Sequence, residues 1–357
     1  MSALSELLLS AGLTGRGGAD FPTGAKLALA ERHNAELIIN ACDGELDAAK
    51  DSWVIANHLP EVLEGARRIT GQRIRVSVHR DSSVSATLRE AGVGILEVPR
   101  RYVSSEESAL TRLAAGGPAK PLMRFEPIAA GSRDVAGRRL PPTLVLNAET
   151  VWRVQQIIDR GPRWFRSYGT PDEPGPRLVT VANGVEAPGV HAVEAGLAMR
   201  EILHRAGGLT VPTQALWISG LSGGFLGAAD IFDTEWSRAG LARHHIGPGA
   251  GTIRVMDARA DPWHELLDAL TYAAGETAGQ CGPCRFGLPA LAQTLAGLLE
   301  ADPPPDAGDR LGRILAQVSG RGACRFPDGV AGLLSSALEV FGAPAMRRPA
   351  MTDSQVE

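Results

Sequence analysis

Residues Gly12–Lys26 read GLTGRGGADFPTGAK, and the organisation of the whole chain follows from how this stretch is understood. Gly12, Gly15, Gly17 and Gly18 gather around Arg16 just ahead of a helix-like segment, Ala25–His33. Glycines let the backbone take conformations that a Cβ forbids, so several N–H groups can turn toward one phosphate. A helix N-terminus adds partial positive charge. Arg16 and Lys26 would bring full charges. The pattern is not a Walker A loop, because Ala25 separates Gly24 from Lys26 and no Ser or Thr follows the lysine. Nor is it the usual dinucleotide fingerprint, since a leucine-rich helical segment, Glu6–Ser10, stands where a strand should be. Taken alone, the stretch fits an anion cradle and a plain glycine hinge equally well.

The chain has 357 residues, enough for two or three domains each with a core. A formal charge of −4 leaves no broad basic face, which argues against nucleic acid or an anionic membrane as partner. The start, MSALSELLLSAGL, lacks the basic region and long apolar core of a signal peptide. No apolar run approaches the roughly 20 residues of a membrane span. Cys42, Cys281, Cys284 and Cys324 are too few and too unevenly spaced for a secreted disulfide framework, so a cytoplasmic setting is expected.

From Ala35 to about Val151, β-branched runs alternate with amphipathic helical patterns, as in parallel-sheet α/β domains. Strands are expected at Leu37–Asn40, Arg73–His79, Gly94–Val98 and Thr143–Asn147. Helices are expected at Lys50–Ile69, Ser82–Ala91 and Glu106–Ala114. The corners after the strands carry Asn40, Asp43 and Glu45, then Asn147 and Thr150. Each corner is also explicable as a turn or helix cap. After the linker-like PDEPGP at Pro171–Pro176, strands at Arg177–Asn183, Gly189–Val193, Ala215–Ser219 and Thr252–Met256 surround one helix, Leu197–Ala206, which suggests a β-grasp-like module. Gly220–Gly227, GLSGGFLG, reads as a loop. From Pro262 onward four helical segments, Pro262–Thr277, Arg285–Glu300, Asp309–Val318 and Val330–Phe341, suggest a bundle.

Cys281-Gly-Pro-Cys284 opens one of these helices, and Cys324 returns from a loop further on. Two thiolates at this spacing can face one centre, and a helix N-terminus stabilises their charge. An iron–sulfur site, a redox dithiol, a zinc site and inert thiols all remain open on spacing alone.

Taken together, Gly12–Lys26, Asn40–Asp51, Tyr102–Leu110, Asn147–Thr150, and Gly279–Gly287 with Cys324 resemble, in order and spacing, the NADH-binding flavoprotein subunit of respiratory complex I. The diaphorase subunits of NAD-linked hydrogenases and formate dehydrogenases share that pattern. The resemblance spans about Ala11 to Phe341. It implies an α/β fold: a Rossmann-like FMN domain over 1–170, a β-grasp (SLBB-like) ligand-binding domain over 171–257 and a helical iron–sulfur bundle over 258–345, with a tail at 346–357. It implies an FMN-dependent electron-transfer oxidoreductase in which NADH delivers a hydride and electrons leave singly through the cluster. By the same resemblance, Gly15, Arg16, Gly17, Gly18 and Lys26 belong to the nucleotide loop, with Phe21 against an adenine. Asn40, Asp43 and Glu45 form the polar rim near flavin and nicotinamide, with Glu45 as the catalytic candidate. Glu106 and Glu107 are an acidic pair at the nucleotide, Asn147 and Thr150 part of the FMN site, and Cys281, Cys284 and Cys324 cluster ligands. The implied partner is another electron carrier, a ferredoxin-like protein or a membrane reductase subunit, which places the chain in the cytoplasm or at the periphery of a membrane complex.

This chain departs from the pattern at named positions. Where the family has the first cluster cysteine, it has Ala278, whose methyl cannot ligate. The centre is then a [4Fe-4S] cluster with an unusual fourth ligand, a [3Fe-4S] cluster, or none. The flavin-facing aspartate is Cys42, a second adenine aromatic is Leu29, a glycine beside the ring is Ser105, one of two adjacent asparagines is Leu146, and the loop glycine before Phe21 is Asp20. A lost stacking pair costs about 0.5–1.5 kcal/mol, which weakens a dinucleotide without excluding it. Asp20 and the acidic rim disfavour the extra phosphate of NADPH. The rival expectation is a non-catalytic paralogue that keeps the fold as a scaffold.

Overall fold

The computed structural model describes residues 1–123 and 126–344, so the tail expected at 346–357 lies outside the described residues. Helix α1, Ala3–Ala11, starts where the Ser2 hydroxyl accepts the Ser5 N–H and stops at Gly12, whose φ of 74° no β-carbon-bearing residue adopts cheaply. The glycine loop follows and leads into α2, Thr23–Arg32.

Strands β1 (Glu36–Asn40), β2 (Ile74–His79), β3 (Ile95–Val98) and β4 (Thr143–Asn147) form one parallel sheet in the order β3-β2-β1-β4. Leu37, Ile38 and Ile39 of β1 are all fully buried, because helices cover both faces of a parallel sheet. Helix α3 (Lys50–Ile69) follows β1, α4 (Ser85–Glu90) follows β2, α5 (Glu107–Ala114) follows β3 and α6 (Ala148–Phe165) follows β4. The larger core joins α1, α3 and α6 to one face. A smaller one, Ile38, Cys42, Val98, Leu110 and Val145, fills the other.

The second sheet contains β5 (Pro176–Val181), β6 (Gly189–Glu194), β7 (Thr213–Ile218), β8 (Gly224–Gly227) and β9 (Thr252–Asp257), in the order β8-β7-β9-β5-β6. Only β9 and β5 run parallel, and α7 (Met199–Arg205) packs Met199, Ile202 and Leu203 against this sheet in the β-grasp manner. The loop expected at Gly220–Gly227 is corrected here: a short turn over Gly220–Ser222 leads into edge strand β8. Phe225 drives the pairing, since its side chain is buried among the C-terminal helices and its N–H donates to Ser336 Oγ at 2.8 Å. A short helix, α8 (Arg238–Ala242), precedes β9.

Helices α9 (Pro262–Gly275), α10 (Leu288–Leu298), α11 (Ala307–Val318) and α12 (Phe326–Phe341) complete the chain. Asp261 caps α9 by accepting the Trp263 N–H at 3.0 Å. A wide π-type turn, Pro283–Gly287, stands ahead of α10 and carries Cys284; such turns recur where a helix must re-aim a side chain. Helix α12 starts four residues earlier than its apolar spacing suggests, with Pro327 in its first turn, where a missing N–H costs nothing.

A buried ionic contact ties the glycine loop to the second sheet. Asp20, held at φ 48°, turns its carboxylate inward, where Oδ1 accepts from Arg177 Nη2 of β5 at 2.9 Å and from the Thr14 hydroxyl at 3.2 Å. Arg177 also lies 3.7 Å from Glu173, and all three side chains are buried. Asp20 therefore does not face an incoming nucleotide, contrary to the expectation that it would repel an extra phosphate. Removing one partner of a buried pair typically costs about 3–5 kcal/mol, because the other charge is stranded. Arg177→Met is expected to lose stability on that scale, seen as a fall in the urea midpoint. Adding Asp20→Gly should restore part of the loss, since it deletes a stranded charge and relieves a left-handed residue. A double variant no more stable than Arg177→Met would show that the pair is not what Arg177 serves.

Candidate functional site

Strands β1 and β4 end side by side, with Asn40 registered opposite Asn147. The chain leaves the two ends in different directions, and a cleft opens beyond the carboxyl edge of the sheet. It forms a cavity of about 470 Å³, inside the roughly 300–1,000 Å³ range of small-molecule sites. Its walls bring together Gly15, Gly17, Phe21, Lys26, Asn40, Asp43, Glu45, Glu106, Glu107, Asn147 and Thr150, and it reaches as far as Cys324.

The glycine loop is shaped for close approach. A Cβ on Gly17 would run into Asn147 Oδ1, and one on Gly18, at φ 97°, would meet the backbone of Gly249 at 2.9 Å. Gly18 therefore seats the loop on the turn ahead of β9 and does not line the cavity. The N–H groups of Gly17, Gly18 and Ala19 have no hydrogen-bond partner among the described residues. Lys26 Nζ pairs with Glu107 at 2.7 Å and donates to the Val145 carbonyl at 2.8 Å, inside the cavity wall.

Arg16 behaves otherwise than expected. Its guanidinium is buried and turned away from the cavity, donating at 3.3 Å to the carbonyls of Pro174 and Pro176 and lying over the Phe165 ring. Burial, with Arg177 nearby, pulls its pKa down to about 9, so it stays cationic at neutral pH. It steadies the loop from behind, with its N–H donated to Thr150 Oγ1 at 3.0 Å and its Nη1 to Thr14 Oγ1 at 3.4 Å.

Several polar corners are also caps. Asp43 accepts the Asp51 and Ser52 N–H groups at 2.9 and 2.8 Å, opening α3, and Glu106 accepts the Ser108 and Ala109 N–H groups, opening α5. Asn40 Nδ2 donates to the Ser105 carbonyl, and Asn147 Nδ2 to Asp51 at 3.1 Å. Behind them Lys50 bridges Asp51 and Glu149 at 2.7 and 3.2 Å, with all three buried. Cys42 is buried outside the cavity beside Ser77, and burial pushes its thiol up to about 12. Leu29 packs against the core.

Glu45 occupies the most constrained position. It accepts from Tyr102 Oη at 2.5 Å, Ser222 Oγ at 2.8 Å, the Leu221 N–H at 2.8 Å and the Leu46 N–H at 2.9 Å. Burial nevertheless holds its pKa above the usual carboxylate value, and burial likewise raises the Tyr102 phenol. The Tyr102 ring packs against Phe326 with centroids 4.7 Å apart. Sequence reading missed Tyr102, Ser222 and Phe326 as wall residues. Tyr102 heads the motif that contains Glu106, and Phe326 lies two places after Cys324, so position beside recognised motifs was the available signal.

The three C-terminal cysteines also converge. Cys281 and Cys284 are hydrogen-bonded through sulfur, and Cys324 is close enough for its charge to act on Cys284. The Ala278 N–H donates to Cys284 and the Phe326 N–H to Cys324. With no metal, burial and the Cys281 charge push the Cys284 thiol up to about 12. Among the described residues no three His, Cys, Asp or Glu side chains close on a single-ion position. A cluster spreads its thiolates over several irons, so this trio, with Cys284 buried and Cys281 and Cys324 half-buried, fits an iron–sulfur centre that takes three ligands from the chain. Helix α9, and not a strand, precedes Cys281, which removes the βαβ context of a thioredoxin-type dithiol.

Two family models match: the Nuo51 FMN-binding domain over residues 8–156 and the NADH-ubiquinone oxidoreductase-F iron–sulfur binding region over 265–347. The chain carries both regions of this flavoprotein family. Its FMN-binding region contains the glycine loop and both asparagine corners, and its iron–sulfur region contains all three clustered cysteines. The F subunit of the NADH-quinone oxidoreductase of Streptomyces coelicolor is 26% identical over 92% of this chain and 79% of its own length. The mitochondrial NADH dehydrogenase flavoprotein 1 of Dictyostelium discoideum is 28% identical over 92% and 74%. The alpha subunit of the NAD-reducing hydrogenase HoxS of Cupriavidus necator is 28% identical over 79% of this chain and 50% of its own. A crystal structure of an NAD+-reducing [NiFe]-hydrogenase in the H2-reduced state superposes with a TM-score of 0.85 at 26% identity, covering 95% of this chain and 61% of that one. No helix among the described residues is long and apolar enough to cross a membrane.

Because the Glu45 pKa is raised in the folded flavoprotein, its stabilising contribution is present below the unfolded value and lost as pH rises through the folded one. Between the ordinary value of 4.5 and alkaline pH, the wild-type urea midpoint should fall relative to that of Glu45→Gln. A gap between the two proteins that does not change with pH would show that folding leaves the Glu45 carboxyl unshifted.

Proposed function

We propose that this flavoprotein oxidises NADH and passes the electrons through its iron–sulfur centre to a partner electron carrier. The observation that carries the reading is the single cavity that runs from the glycine loop, past the ends of β1 and β4, to Cys324. Bound FMN would supply the conversion of a two-electron donor to one-electron transfer, which side chains cannot perform.

The chain's own part is positional. Gly15, Gly17 and the N–H groups beside them would hold a phosphate, with Lys26 as the cation that exchanges part of its contact to Glu107 for that charge. Asn40 and Asn147, fixed by strand register, would hold the polar edge of the ring system. Glu45, bonded to Tyr102 and Ser222, would be the group at the cavity wall that takes or gives a proton beside the nicotinamide. Cys281, Cys284 and Cys324 would hold iron. Phe21, half exposed at the rim, would cover an adenine. The partner would be a ferredoxin-like protein or a membrane reductase subunit, in the cytoplasm or peripheral to a membrane, since the relatives named above are subunits of oxidoreductase complexes. Ala278 and the inward turn of Arg16 favour the second reading, a scaffold that has lost redox activity.

Anaerobic purification followed by an absorbance spectrum separates the two. Flavin bands, with broad iron–sulfur absorption bleached by NADH, are expected. A colourless chain that takes up no FMN would leave the scaffold. Gly17→Ala, whose methyl would meet Asn147, should lower flavin occupancy by about tenfold, roughly 1.4 kcal/mol, with an unchanged far-ultraviolet circular dichroism spectrum.

A further inference from the structure

The cluster corner that lacks a cysteine is not simply blank. Ala278 is buried at 6% exposure, and its N–H already serves Cys284. Its carbonyl accepts from Lys120 Nζ at 2.9 Å, which brings an ammonium to the residue that replaces a thiolate. Neighbouring Gln280 is engaged at both ends, accepting from Arg112 at 3.4 Å and donating to the Pro121 carbonyl at 2.8 Å. Three further polar groups near the trio are occupied. Glu106 caps α5, Tyr102 is bound to Glu45, and Asp328 accepts the Gly320 N–H at 2.7 Å and faces Arg325.

We propose that the corner over Ala278 is a binding site for a small anionic donor from outside the chain, held at an iron left without a side-chain ligand, with the Lys120 ammonium bonded to the Ala278 carbonyl beside it. The proposal rests on the functional reading above. Each iron of a cubane takes one terminal ligand, and three thiolates leave one iron to be completed. Three thiolates carry one negative charge fewer than four would, and the Lys120 ammonium lies within a hydrogen bond of the Ala278 carbonyl. Both favour an anion, such as hydroxide or a small carboxylate, over a neutral donor. Size is limited because the bonds of Lys120 and Gln280 tie the 278–280 segment to residues 120–121. Entry is from the surface, where Gly279, Gln280 and Gly282 are exposed and Cys281 is half-buried. With a cluster bound, uptake of the donor would be a ligand exchange in which it takes the place of solvent and no electrons move.

The test uses the full chain, reconstituted anaerobically with iron and sulfide, with flavin content measured separately. Cyanide is the probe, read by electron paramagnetic resonance of the reduced cluster, and brief ferricyanide oxidation tests for loss of one iron per cluster. Wild type should show a saturable shift with cyanide and lose that iron reversibly. Ala278→Cys should show neither, and Lys120→Met should bind cyanide about tenfold more weakly. A wild-type spectrum indifferent to cyanide, with iron as firmly held as in Ala278→Cys, would mean that the chain supplies its own fourth ligand and overturns the site. A wild-type chain that binds flavin but takes up no cluster, while Ala278→Cys does, overturns the site alone. Absence of both flavin and iron from every variant overturns the functional reading with it.

Discussion

Parallel pairing of β1 with β4, in the register that sets Asn40 against Asn147, is the constraint on which the rest of the structure depends. Two parallel strands that stop at the same level leave their carboxyl ends without a continuing sheet, and the connections must diverge. The cavity exists because of that divergence. The glycine loop lies against it because Gly17 has no Cβ to collide with Asn147, and the caps of α3 and α5 point their acidic residues into it because both helices start at its edge.

A site built this way collects charge in a place with little water, and the chain answers with pairing. Lys50 stands between Asp51 and Glu149, and Arg153 lies 3.5 Å from Glu149. Buried pairs of this kind add little net stability, since desolvation offsets attraction, but they punish any arrangement that leaves one member alone. The same argument covers Asp20 and Arg177, which hold the loop to the second sheet in one orientation. Glu45 shows the opposite balance: four hydrogen-bond donors do not compensate its burial, so the folded state favours its proton.

The cluster end follows a different logic. The π-type turn at Pro283–Gly287 brings Cys284 back beside Cys281, and the start of α12 brings Cys324 to the same place. Amide donors at Ala278 and Phe326 are set toward two of the sulfurs. Ala278 stands beside this trio with its N–H on Cys284, and its methyl adds no ligand to the three sulfurs.

Much of this could be read from the sequence. Helix α3, kinked at His58 ahead of Pro60, and strand β4 run where their periodicity places them, because both signals are local: an amphipathic helical run and a short apolar strand. The order of the glycine loop, the asparagine corners and the cysteine trio identified the family. Helix α6 was visible only as a helix start at Asn147–Thr150, and β8 was hidden among glycines, because its pairing depends on where Phe225 and Ser336 meet. The directions of Arg16 and Asp20 were out of reach for the same reason: the partner of Asp20 lies 157 positions away in the chain. Residue types and their spacing determined which chemistry the chain could hold. Only the tertiary structure decided which charges face the cavity, because burial energy depends on neighbours that the linear order does not bring together.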